Sequence, residues 1–124
     1  MKRRLLVLSF ALFAAAGNAA SLPPAARAEI DALLSRLEAS SCTFGRNGTW
    51  YPATEAKSHL LRKLKYLEDR GAVQSAEQFV ERADSSSSTT GRPYLVKCGN
   101  DAPVESRTWL TLQLRGMREL PRVP

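Results

Sequence analysis

The chain has 124 residues, with 18 lysines and arginines against 12 aspartates and glutamates, a formal charge of +6, and a composition 44% hydrophobic and 24% charged. This length fits one folded core and leaves no room for two. The composition excludes a largely disordered chain, a collagen and a coiled coil.

Lys2, Arg3 and Arg4 open the chain, and an apolar run from Leu5 to Ala16 is broken only by Ser9. The small residues Gly17, Ala19 and Ala20 follow, around Asn18. This is the three-part pattern of a secretory signal peptide, so residues 1–20 are expected to be removed and the rest exported to the periplasm. The run is short of the ~20 residues a membrane span needs, which argues against an uncleaved anchor. Gly17-Asn18-Ala19 has the small-x-small form of a cleavage site, and Ala26-Arg27-Ala28 is a weaker, later one. No cysteine stands at the cut to take a lipid. Cleavage removes half of the formal charge. An exported chain with scattered basic residues is a poor candidate for nucleic-acid binding. Arg107, Arg115, Arg118 and Arg122 read as a solvated helix face. No later stretch approaches membrane length, so the exported chain is expected to be soluble, and a monomer.

After Pro23-Pro24, the stripe Ile30, Leu33, Leu34 and Leu37 predicts a helix over about 25–39, with Pro24 in its first turn. Asn47-Gly48 then marks a type I′ hairpin. That turn pairs Arg46 with Thr49, Gly45 with Trp50, and Phe44 with Tyr51. Phe44, Tyr51 and Cys42 share one face, and Trp50 points the other way. Asn47-Gly48-Thr49 also matches a glycosylation sequon, read as coincidence in a bacterial chain. Ala56, Leu60, Leu64 and Leu67 predict a helix over about 54–70, capped by Thr54 and ended by Gly71. Ser75-Ala-Glu-Gln78 is a capping box opening a short third helix with Ala76, Phe79, Val80 and Ala83 on its apolar face. Asp84 to Gly91 reads as a polar loop. Pro93 to Cys98 restores strand character. A turn at Gly99-Asn-Asp101 precedes a last helix over about 104–119, built on Trp109, Leu110, Leu114 and Met117.

The order α-β-β-α-α-β-α predicts a small α+β domain over residues 21–124, with about four helices against a short antiparallel sheet. In an oxidising compartment Cys42 and Cys98, the only cysteines, are expected to form a disulfide tying the hairpin to the third strand. A loop of that length is worth about 4 kcal/mol in the chain-entropy account.

Cys42 to Tyr51, His59-Leu-Leu-Arg-Lys-Leu-Lys-Tyr66, Ala76-Glu-Gln-Phe79, Ser85 to Cys98 with its Gly91-Arg-Pro-Tyr94, and Trp109-Leu110 fall in one order along the chain. On these residues, the span from about 28 to 115 resembles the YfeK-like family of small bacterial periplasmic proteins, a domain of unknown function. The resemblance implies export, the disulfide and a single domain. It supplies no catalytic residues.

His59, the only histidine, sits at helical spacing with Lys63 and Tyr66. A hydrolase would set it against a hydroxyl of Ser85, Ser86, Ser87 or Ser88, but no nucleophile elbow is present. A packed or hydrogen-bonding histidine is the better reading. Arg46, Asn47, Trp50 and Tyr51 suit a protein partner or a sugar face, against the plainer reading that the aromatics pack under the second helix. The hydroxyls of Ser85 to Thr90, flanked by the cations Arg92 and Lys97, suit an anionic ligand, against the plainer reading of a solvated connector, and Tyr94 joins the same candidate surface. One histidine and two spent thiols leave no metal-ligand spacing, and nothing calls for a cofactor. The leading reading is a non-catalytic binding or interaction module for an envelope protein or a cell-wall ligand. A periplasmic inhibitor or immunity protein would be one form of it. The alternatives are the hydrolase and a structural or stress-related envelope protein.

Overall fold

The computed structural model describes residues 21–120, so the segment read as a signal peptide lies outside the described residues. Helix α1, Pro24–Ala39, begins with proline in its first turn, where no hydrogen bond is lost, and buries Ile30, Leu33, Leu34 and Leu37. Strands β1, Thr43–Arg46, and β2, Thr49–Pro52, form the hairpin in the expected register. Asn47 and Gly48 carry φ of 51° and 82° at its turn, as a type I′ geometry requires.

Helix α2, Ala53–Glu68, follows β2 without a loop. The expected Thr54 cap is not used. Pro52, extended at φ −65° and ψ 156°, turns the chain straight into a helix that starts at Ala53 with no side-chain cap. Gly71, at φ 62°, ends this region with Gly71 N donating to Glu68 O and Ala72 N to Leu67 O. Helix α3, Ala76–Phe79, is capped by Ser75, whose Oγ accepts from Gln78 N at 3.1 Å.

The polar loop does not begin at Asp84. The helix continues as a π-helical turn, Val80–Asp84, and Asp84 is buried at its end. The reason is periodicity: Asp84 lies four residues beyond Val80 on the buried face. Strand β3 is Leu95–Lys97. The last helix also starts later than expected. Val104 and Glu105 form a short strand, β4, pairing with Val96 and Leu95, and α4 runs Ser106–Arg118. Val104 is β-branched and meets an open strand edge, which favours pairing over a first helical turn.

The fold is α+β, with the antiparallel sheet ordered β2-β1-β3-β4 and the helices packed together over one face. Phe44 on that face meets Trp109 of α4 edge-on, with ring centroids 5.8 Å apart. The other face is open around Trp50, whose ring lies across Gly45 and is 43% exposed. Cys42 and Cys98, 56 positions apart, form the disulfide where β1 begins and β3 ends. Arg118 of α4 bridges Glu29 of α1 and Glu77 of α3 at the surface. Among the described residues, no helix is long and apolar enough to cross a membrane.

Candidate functional site

The hairpin, α2 and the segment before β3 meet around one cavity of about 310 Å³. β1 delivers Arg46 as its last residue, just before the turn. α2 delivers His59 and Lys63, one turn apart and therefore on one side of the helix. Tyr94, one residue before β3, is buried between them.

Arg46 Nη1 lies 2.8 Å from His59 Nδ1, and His59 Nε2 lies 2.9 Å from the Tyr94 hydroxyl. Lys63 Nζ donates to the same hydroxyl at 3.1 Å and to Ser86 O at 3.2 Å. A guanidinium has only donors, so Nδ1 is the acceptor and the neutral imidazole carries its proton on Nε2. Burial, with Arg46, Lys63 and Arg62 nearby, pushes His59 down to about 4. Burial also lowers Lys63, with Asp84 opposing, and raises Tyr94. His59 and Tyr94 meet edge-on at 5.7 Å, and Arg46 lies over the Tyr51 ring at 5.3 Å.

Asp84 and Ser106 also stand at the cavity wall, and neither belongs to a motif that marks it in the sequence. Ser106 Oγ donates to Asp84 Oδ1 at 2.9 Å, while Asp84 Oδ2 meets no hydrogen-bond partner among the described residues. Burial pushes this carboxyl up to about 8, against the Ser106 hydrogen bond and the charge of Lys63. The signal for Asp84 was its place on the Ala76, Val80 stripe, masked by the serines that follow it. Ser106 carries no such signal, because its burial depends on where α4 docks.

The serine loop is tied to the hairpin tip. Asn47 Nδ2 donates to the buried Ser87 Oγ at 3.0 Å, and Thr90 Oγ1 donates to Asn47 Oδ1 at 2.5 Å. Ser85 Oγ donates to Val80 O, and Ser88 is exposed. Arg92 reaches back beside the turn glycine Gly48. The hydroxyl that meets His59 is thus that of Tyr94; the serine hydroxyls that bond inside the protein do so elsewhere. Two predicted residues stand apart from this cluster. Tyr66 is exposed under the guanidinium of Arg70, 3.5 Å away, and Trp50 lies on the open face of the sheet. Tyr51 is half-buried and lines the cavity. Among the described residues, no group of three His, Cys, Asp or Glu is placed to hold a metal ion.

The chain is similar to the Uncharacterized protein YfeK of Salmonella typhimurium, 44% identical over 68 residues. The alignment covers 54% of this chain and 55% of that protein, so the chain spans about half the length of this curated relative. No solved structure matches the chain. Residues 24–118 match the family described as "Family of unknown function (DUF5329)", a stretch that takes in the disulfide, the hairpin and every residue of the cavity wall named above. The chain belongs to the DUF5329 family.

Proposed function

We propose that residues 1–20 export the chain to the periplasm, where residues 21–124 act as a single, non-catalytic binding module. Its binding face is the one built by the hairpin, α2 and the serine loop, and its partner is an envelope protein or a cell-wall ligand. The observation that supports this most is the joining of three distant segments around one cavity by part-buried polar groups. Such groups cost stability unless satisfied. Arg46, His59, Tyr94 and Lys63 are instead linked beside an opening to solvent. Leu22 and Ala26 belong to the core, which supports a cut after Ala19 or Ala20 over one after Ala28.

The test is crosslinking in living cells expressing the full chain with an affinity tag, followed by mass spectrometry of what co-purifies from the periplasmic fraction. The expected result is a mature N-terminus at Ala20 or Ser21 and one envelope partner. That partner is lost in Arg46→Ala/Asn47→Ala and kept in Trp50→Ala. Retention in the double variant, or no capture at all, overturns the proposed face.

A further inference from the structure

The cavity wall brings the Arg46 and Arg62 guanidiniums, His59, Tyr94 and Asp84 together. The Tyr94 oxygen accepts from His59 Nε2 and from Lys63 Nζ, which uses both of its lone pairs. Its own O–H then has no acceptor among the described residues. Asp84 is 2% exposed, and its Oδ2 is without a partner among the described residues. Burial keeps this carboxyl protonated up to about pH 8, so at neutral pH the acid offers a second unmatched O–H. Arg46 and Arg62 bring positive charge to the wall, against the exposed Glu55. Phe44, Tyr51, Ala56 and Leu60 give the cavity an apolar flank.

We infer that the cavity binds a carboxylate carried on a small apolar group, its oxygens accepting from Tyr94 and Asp84 and its charge answered by Arg46. This inference rests on the binding-module reading and names the ligand class of that site. A carboxylate has acceptors and no donors, which is what two unmatched O–H groups and a guanidinium require. A cationic ligand would face Arg46 and Arg62. The volume of about 310 Å³ is at the small end of ligand sites. It admits a short free acid or the C-terminal residue of a peptide, which share this chemistry, and it is too small for a sugar chain.

The groups facing Asp84 set its pH response. Lys63 from α2, Tyr94 before β3 and the untitratable Ser106 hydroxyl from α4 act on it directly, and Arg46 from β1 with Glu55, His59 and Arg62 from α2 share its cavity. Once Asp84 ionises, it repels a bound carboxylate. One pH unit above its midpoint, about a tenth of the molecules remain competent, so affinity drops about tenfold by pH 9.

Protein purified from cells expressing the full chain is titrated by calorimetry with hexanoate, N-acetyl-leucine, the amide of each, and inorganic phosphate, at pH 6.5 and pH 9. The expected result is that at least one acid binds at pH 6.5, at least tenfold tighter than its amide and than phosphate. It binds about tenfold weaker at pH 9. Asp84→Asn keeps a donor and flattens this pH dependence, and Tyr94→Phe weakens binding at both pH values. Both variants are first checked for native circular dichroism. Tighter hexanoate identifies a free acid, and tighter N-acetyl-leucine a peptide C-terminus. No binding of either acid, equal binding of the amides, tighter phosphate, or tighter binding at pH 9 overturns the ligand class. If the acids fail while the crosslinked partner is still captured, the binding module stands and the carboxylate falls. If the acids bind and no partner is captured, the carboxylate stands and the macromolecular partner falls.

Discussion

Asp84 and His59 are displaced from their usual protonation in opposite directions, and stability carries both effects. Asp84 holds its proton to about pH 8 when folded, against about 4 in an unfolded chain. The folded form binds the extra proton between those values, so stability falls as pH rises through the window. His59 is the reverse: folded it titrates near 4 against an ordinary 6.5, so stability rises with pH between these values. The two slopes oppose each other from about pH 4 to 6.5, and above that the Asp84 slope is no longer opposed by His59. Urea midpoints are therefore expected to stay level to about pH 6.5, fall to about pH 8, and then level off. The Asp84 slope approaches at most ~1.4 kcal/mol per pH unit. Asp84→Asn removes the fall above pH 6.5, and His59→Gln gives a decline across the whole range. Glu29 and Glu77, held below the usual carboxylate range by hydrogen bonds from Arg118, add a loss of stability only on the acid side of that range.

At the scale of elements, the disulfide joins strands that are neighbours in the sheet but far apart in the chain. Cys42→Ala/Cys98→Ala frees a long loop in the unfolded state and is expected to cost about 4 kcal/mol in urea denaturation. Near-native circular dichroism is expected to remain, because β1 and β3 also share a ladder. The hairpin was legible in the sequence down to its register, since Asn47-Gly48 admits few geometries and the side-chain period of two does the rest. The first and second helices were legible for a similar reason, as their leucines repeat on one face. The end of the third helix and the fourth strand were not. Asp84 looks like the first residue of a polar run, and its helical state depends on Val80 and Ala83 being buried beside it. Two residues of strand at Val104–Glu105 exist because β3 offers them an edge.

For the molecule as a whole, the core and the open sheet face predict opposite sensitivities. Phe79 heads the fully buried side chains, and Phe79→Ala is expected to lower stability by about 3–5 kcal/mol. Trp50 is of larger type but 43% exposed on the open face, and Trp50→Ala is expected to cost under about 1 kcal/mol in the same denaturation series. The reverse ranking would mean that the helices cover the other face of the sheet. The sequence alone determined the class, the hairpin, the pairing of the cysteines and the helical stripes, because each follows from local periodicity, turn chemistry or the cysteine count. Only the tertiary structure decided that His59 and Lys63 meet Tyr94 rather than a serine, that Asp84 is buried with an unmatched oxygen, and that Trp50 is exposed. Those outcomes depend on how α2, α4 and the serine loop dock on the sheet, and docking is set by contacts between residues far apart in the chain, which no local pattern records.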